Sequence, residues 1–427
     1  MTFALLLSVS LWLAGCSTEP PTPRPISLAE TVVIVVPGLY GTQLVQDVSP
    51  EAQAADKRII WLSLSEALVG RTSLMLPLPG MEYGEAVPLR EDGLLETVTI
   101  VPGIYAVDLY RSLVKSLRES GNDRVAVLPF AYDWRLDVMH GVQGLAGLVD
   151  EVHRRGAKQT ILVGHSLGGL IVSYYLRYGA QNPETAEETW EGTRKVAKVV
   201  MAGVPFRGSM TMFRNVLHGW KVGLNRSLLA PTAYASFPVS YYLLPALDSD
   251  VLLSPDLKPV HGLVRDPEKW RQMGWGLLRE PGALRDDVSE LRARYTASWL
   301  QRSERFITLL HTPPAGTLER QIPLLYISGS DVPTLARGVL LNDPTGGPNR
   351  VVFDAALAEG ASSTMSPDLF IEDGDGTVTG PAARLPTAYS QNMAVTRRTY
   401  HETHADLMTS RKVHREIQAF LRTPRER

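Results

Sequence analysis

Short β-branched runs alternate with segments of helical period along most of the chain. "TVVIVV" (31–36), "VAVLPF" (125–130), "TILVG" (160–164), "KVVMAG" (198–203), "PLLYISG" (323–329) and "AVTRRTY" (394–400) read as strands. The first five are apolar at almost every position, as strands buried on both faces of a parallel sheet must be, and the sixth is mixed. Apolar residues three and four apart predict helices over Tyr105–Glu119, Val142–Arg155, Leu167–Tyr178 and Val413–Leu421. Strand and helix in alternation imply crossover connections, hence an α/β class with a mostly parallel central sheet flanked by helices.

The rhythm breaks twice. Residues 206–320 are rich in Leu and aromatics ("HGWKVGLNRSLLAPTAYASFPVSYYLLPAL") and then turn charged and helical, which predicts an inserted cap; a smaller insertion is expected at 46–91. Segments above such sheets commonly wall a binding cavity, and contact with an acyl chain is expected somewhere in the larger one, although an aromatic or Leu stripe is more often plain packing.

The start of the chain has its own pattern. "MTFALLLSVSLWLAGCSTEP" carries an apolar run too short to span a bilayer, then small residues and the single cysteine, Cys16. Leu13-Ala14-Gly15-Cys16 resembles the lipobox of bacterial lipoproteins, which implies a signal peptide over 1–15 and a diacylglycerol on the Cys16 sulfur. A plain secretory leader and a buried thiol are the alternatives. Four prolines among Pro20–Pro25 predict an extended tether over 16–30, so the folded unit is expected over 31–427. With Ser17 after the cysteine, the expected location is the bacterial cell envelope, anchored to the outer membrane and facing the periplasm or exterior.

Composition adds boundaries. The chain has 427 residues, 44% hydrophobic and 21% charged, with a formal net charge of -2 and no long run of either sign. That balance gives no footing for nucleic-acid binding or a basic membrane patch. A sole cysteine excludes an internal disulfide, and the sequence offers no reading of oligomeric state.

Chemistry enters at "QTILVGHSLGGLIVSYYL" (159–176). Gly-x-Ser-x-Gly arises by chance in about one chain in five of this composition, so its context matters more than its match. Here a strand ends just before Ser166 and a helix begins just after, with Gly164, Gly168 and Gly169 where the two crowd together, the setting of a nucleophile elbow. A serine hydroxyl is a poor nucleophile alone and needs a base and a group that orients the base.

Both candidates lie downstream. In "EDGDGTV" (372–378), Asp375 directly precedes Gly-x-Val and is preferred over Asp373. A calcium loop of the EF-hand type counted from Asp373 fails, because the sixth place holds Val378 and the twelfth is not Glu. For the base, His404 follows the last strand and precedes the terminal helix; His401 is the alternative, and His414 is expected to be a solvated helix residue. Backbone N–H groups for a developing oxyanion are expected at Leu167, the residue after the nucleophile, and at Leu39 in "IVVPGLYGTQL" (34–44).

"VPGLYGTQL", "FAYDWR" (130–135), "GHSLGG", "AGVPFRGS" (202–209), "SFPVSYYLLP" (236–245), "DGDGTV" and "HADLM" (404–408) occur in the order of the lecithin:cholesterol acyltransferase and lysosomal phospholipase A2 family, which this chain resembles from about 31 to 421. The resemblance implies an α/β-hydrolase fold, a Ser166/Asp375/His404 triad, Leu39 and Leu167 as the oxyanion hole, and transfer of an acyl group from a phospholipid or other lipid ester to an alcohol or water, with no metal or organic cofactor. Asp133, Trp134 and Arg135 are expected as support beneath the site, and Phe206 as a pocket wall. The well-studied animal members carry cysteines that close a membrane-binding loop, which this chain lacks. A general or polymer esterase of the same fold, and a non-catalytic lipid-binding lipoprotein, are the competing readings.

Overall fold

The computed structural model describes residues 30–47, 57–68, 70–78, 87–95, 97–101, 105–121, 125–279, 285–342, 350–354 and 365–423. The leader, Cys16, nearly all of the tether and part of 46–91 lie outside the described residues.

Six strands, β1 (Thr31–Val36), β2 (Val125–Pro129), β3 (Gln159–His165), β4 (Val196–Ala202), β5 (Ile322–Gly329) and β6 (Met393–Tyr400), form one sheet in the order β6-β5-β4-β3-β1-β2. Every neighbouring pair is parallel. These are the six runs read from the sequence, with ends shifted by a residue or two; β6, at the sheet's edge, is the polar one, with Arg397 and Arg398 exposed. β1 illustrates the logic: Val32, Ile34 and Val36 enter one hydrophobic cluster while Val33 and Val35 enter another on the opposite face. Neither face is wet, so neither can be polar.

The main helices are α1 (Arg111–Gly121), α2 (Val138–Arg154), α3 (Leu167–Tyr178), α4 (Met210–His218), α5 (Asp286–His311) and α6 (Arg411–Arg422). α2 and α3 join the cluster on the Val32 side, and α1 and α6 the cluster on the Val33 side. Gln418 on α6 donates to the Ser116 carbonyl on α1 at 2.9 Å, which ties that layer together. Lys198 on β4 donates from Nζ to the Phe420, Leu421 and Thr423 carbonyls at 2.8, 2.9 and 2.6 Å, neutralising the negative end of α6.

One helix expectation is corrected. Tyr105–Asp108 is a strand paired antiparallel with Thr97–Val101, and the helix begins only at Arg111. Its partner, "TVTIV", is β-branched at every position, and cross-strand pairing overrides the weaker helical spacing before Arg111.

Around the expected smaller insertion, the strand Thr42–Asp47 is flanked by Lys57–Trp61 and Arg90–Leu94 in a small antiparallel sheet. Between β4 and β5 lie α4, an antiparallel pair (Trp220–Val222 with Asn225–Leu229), two short Pro-initiated helices (Pro231–Ser236 and Pro238–Tyr242) and α5. This interval contributes no strand to the main sheet. Asp137, the N-cap of α2, holds it down by accepting from Tyr242 Oη at 2.5 Å and Arg302 Nε on α5 at 3.0 Å. Among the described residues no helix is long and apolar enough to cross a membrane.

The chain runs from β1 outward to β2, then back across to β3 on the other side of β1. That reversal opens a crevice at the carboxyl ends of β1 and β3, where open α/β sheets bind ligands.

Arg177 on α3 is fully buried, paired with Glu188 at 2.5 Å and donating to the Leu309 carbonyl at the end of α5 at 2.9 Å. Replacing it with Met takes the cation from Glu188, whose other oxygen keeps Trp190 Nε1, and a donor from the Leu310 and Pro313 carbonyls, and the expected loss is about 3–5 kcal/mol. Urea unfolding measures it; Arg177→Met/Glu188→Met should recover part of the loss.

Candidate active site

Ser166 sits between β3 and α3 with φ 53° and ψ -123°, in the left-handed half of backbone space that a residue with a Cβ avoids. Such a conformation costs roughly 1–3 kcal/mol and persists only where neighbours fix it. Here they do. A methyl on Gly168 would overlap the Val36 carbonyl, one on Gly169 the Val204 side chain, and one on Gly164 would come within 2.9 Å of the Gly168 carbonyl. Gly38 beyond β1 is held as closely, since a methyl there would lie 2.8 Å from Ser166 Cβ. The glycines let the end of β1, the end of β3 and the first turn of α3 share one small volume, and Ser166 is turned out of it.

Around Ser166 the structure brings two of the expected partners. His404 Nε2 lies 2.9 Å from Ser166 Oγ, and His404 Nδ1 lies 2.7 Å from Asp375 Oδ2. The carboxylate fixes the ring: with the Nδ1 proton donated to Asp375, Nε2 is free to accept from the serine hydroxyl. Asp375 is buried and its other oxygen accepts from Thr377 N–H at 3.0 Å and Val378 N–H at 2.7 Å. Burial pushes its pKa up, but His404, its hydrogen bond and these two N–H groups outweigh burial and hold the carboxyl below the usual range. Main-chain bonding also joins the pair, as His404 N–H donates to the Asp375 carbonyl at 2.7 Å.

The loop after β1 is held from below. Tyr132 Oη donates to the Pro37 carbonyl at 2.8 Å and Trp134 Nε1 donates to the Thr42 carbonyl at 3.1 Å, so both ends of the 37–42 loop are clamped. Beside them Arg135 and Asp133 form a buried ion pair at 2.7 Å, and Arg135 Nη1 donates to the Leu74 carbonyl at 3.1 Å. Asp133, Trp134 and Arg135 line no part of the cavity above Ser166. Leu39 lies on that cavity's wall, and Leu167 is the first residue of α3. Neither backbone N–H has a hydrogen-bond partner among the described residues, and the N–H groups of a first helical turn are free by construction.

A second histidine, which the sequence reading passed over, ties these pieces together. His165 Nε2 lies 3.0 Å from the His404 carbonyl, which only accepts, so Nε2 carries the proton and Nδ1 is the acceptor. Tyr110 Oη, 2.7 Å from Nδ1, therefore donates to it, and itself accepts from Gly38 N–H at 2.8 Å. Burial, followed by the neighbouring His404, brings the His165 pKa down to about 3. It stays neutral and keeps one tautomer. Gly38, Tyr110, His165 and His404 thus form a chain of hydrogen bonds from the β1 loop to the backbone of the β6 loop.

The cavity above Ser166 has a volume of about 470 Å³, and its wall is mostly apolar. Leu39, Met212, Leu243 and Met408 contribute, with Tyr40, Trp220 and the polar Arg214 and Asn215. Tyr40 and Tyr234 share a short hydrogen bond between hydroxyls. Phe206 is not on this wall: it is fully buried beneath, between the rings of Tyr326 and Tyr389, because the turn after Gly203 points it inward. His401 stands at the surface, paired with Asp331. His414 departs from expectation, being buried with Nε2 bonded to the Met408 carbonyl at 2.8 Å. Among the described residues no group of three His, Cys, Asp or Glu could hold a metal ion.

A family model described as lecithin:cholesterol acyltransferase matches residues 71–272. The match takes in Ser166 and stops before Asp375 and His404. Phosphatidylcholine-sterol acyltransferase of Homo sapiens is 30% identical over 232 residues, 47% of this chain and 49% of that protein. The Oryctolagus cuniculus protein of the same name is 26% identical over 224 residues, again 47% and 49%. The chain therefore aligns with about half the length of the curated relatives it matches. Among solved structures, that of a Tle4–Tli4 complex superposes with a TM-score of 0.50 at 14% identity, covering 92% of this chain and 97% of that one. At that identity the likeness speaks for the fold, which is α/β-hydrolase.

The low pKa of His165 has a measurable consequence. Between about pH 6.5, the value for an unfolded histidine, and pH 3, the unfolded chain binds a proton at this residue that the folded chain refuses, so stability falls as pH falls. His165→Gln should remove one proton's share of that slope, about 1.4 kcal/mol per pH unit, from urea-unfolding free energies collected between pH 4 and 6. An unchanged slope would mean that His165 is not held neutral.

Proposed function

We propose that this chain, with its lecithin:cholesterol acyltransferase domain on an α/β-hydrolase sheet, transfers acyl groups from lipid esters through a covalent acyl-Ser166. The reading rests above all on His404, whose two ring nitrogens reach Asp375 and Ser166 at 2.7 and 2.9 Å in a largely apolar cavity.

Ser166 Oγ attacks the ester carbonyl carbon while its proton passes to His404 Nε2. Asp375 stabilises the imidazolium so formed without taking the proton itself. The carbonyl oxygen becomes negative in the tetrahedral intermediate, and the N–H groups of Leu39 and Leu167 are the donors in place to receive it. Collapse breaks the bond to the alcohol, which leaves with the proton from His404 Nε2. An acyl-serine remains. Water or a second alcohol then attacks it, with His404 again taking the nucleophile's proton and returning it to Ser166 Oγ. Water gives a fatty acid and an alcohol acceptor gives a new ester, so hydrolase and acyltransferase are one machine with two acceptors. The interval between β4 and β5 acts as a cap in this reading, because Pro205, Met212, Trp220 and Leu243 supply one side of the wall. Water exclusion there decides the acceptor.

The envelope location belongs to the same proposal. It rests on the lipobox-like Leu13–Cys16 and would hold the catalytic unit at a lipid surface.

Three variants test the reading. Ser166→Ala should abolish fluorophosphonate labelling and lower acyl release from phospholipid micelles by on the order of 10⁶, whereas persistent labelling would overturn the nucleophile. Asp375→Asn should cost about 10⁴ in kcat by freeing the wrong tautomer of His404. Cys16→Ser should move the protein from the membrane to the soluble fraction, and retention at the membrane would refute the anchor.

A further inference from the structure

Among the residues that wall the cavity above Ser166, one carries a full charge at neutral pH. Arg214, on α4, is half-buried there among Met212, Trp220 and other apolar side chains, and no Asp or Glu among the described residues shares the wall. It makes no ion pair among the described residues; its polar contact is a long one, Nη2 to Asn215 Oδ1 at 3.4 Å. The surrounding order is firm, since Asn215 donates to Tyr234 Oη at 3.3 Å and Tyr234 in turn bonds Tyr40. Elsewhere in the fold, buried arginines are saturated: Arg135 by Asp133, Arg177 by Glu188, Arg265 by carbonyls and Ser303. A guanidinium left half-desolvated and unpaired beside an apolar wall is costly unless something anionic completes it.

We infer that Arg214 receives the phosphodiester of the lipid ester, and that the site favours a head group bringing negative charge with no cation of its own. This rests on the acyl-transfer reading of Ser166. A guanidinium presents a planar fork of donors that matches two phosphate oxygens, as a lysine does not. Arg214 and Ser166 open on the same cavity, so one molecule can meet both, its ester at the serine and its phosphate at the arginine. The absence of a carboxylate from the wall leaves a head-group ammonium without an ionic partner. Phosphatidylglycerol fits that description better than phosphatidylcholine, and a neutral diacylglycerol engages Arg214 not at all.

The experiment compares phosphatidylglycerol, phosphatidylcholine and diacylglycerol of identical acyl chains, each dilute in the same non-ionic micelles, with the wild-type chain, Arg214→Gln and Arg214→Lys. The expected result is a wild-type kcat/KM that is higher for phosphatidylglycerol than for phosphatidylcholine. The ratio of phosphatidylglycerol to diacylglycerol should fall at least tenfold in Arg214→Gln and by an intermediate factor in Arg214→Lys, which keeps the charge and loses the fork. A ratio within twofold of wild type in Arg214→Gln, or a wild-type preference for phosphatidylcholine, would overturn the assignment. A global packing defect lowers all three substrates together and leaves the ratio where it was, which also counts against it. Failure of the underlying reading looks different: the wild-type chain would then release acyl groups from none of the three and from no soluble p-nitrophenyl ester.

Discussion

The contact on which the rest of the structure depends is the approach of α3 to the end of β1, where Gly168 lies so near the Val36 carbonyl that no side chain fits between them. That closeness sets the first turn of the helix beside the loop carrying Leu39, and it forces the chain at Ser166 into its left-handed turn. The parallel order of β3 and β1 makes the approach possible, since both strands end at the same edge of the sheet. The apolar runs that build the sheet and the glycines that end it are therefore parts of one requirement. Remove the glycines and the strands remain, but the serine has no reason to face outward.

Electrostatics then assigns each polar group a single role. Asp375 stays ionised, because its neighbours and two N–H groups outweigh the effect of burial. His165, two bonds of the same network away, stays neutral, because burial dominates there. Two histidines whose rings lie 4.9 Å apart thus have different partners, and only one is directed at the serine. Had His165 carried a charge, it would have opposed the imidazolium that the proposed mechanism requires at His404.

Much of the fold was legible in the sequence because a parallel sheet leaves little freedom: strands covered on both faces must be apolar, and five such runs, with the more polar Met393–Tyr400 at the edge, became its six strands. The helix expected from Tyr105 failed at its start, where pairing with Thr97–Val101 takes precedence over spacing. Ser166, Asp375 and His404 could be picked out because each stands in a short motif at a strand end. Tyr110 could not, since its partner His165 is 55 positions away and no local pattern joins them. His414 and Phe206 were misplaced for a related reason, as sequence spacing does not say which side of a turn or helix meets the core. Arg214 is a single residue in an amphipathic helix, and its isolation from carboxylates exists only in three dimensions.

The main-chain bonds of His404, one from its N–H to Asp375 and one to its carbonyl from His165, make the acid, the base and the floor of the cavity a single rigid block. In the proposed reaction the lipid also meets the wall formed by α4, Trp220 and the 37–42 loop. In that reaction the Asp375–His404 block and Leu39 carry the chemistry, while α4 and Trp220 shape only the space that the substrate fills.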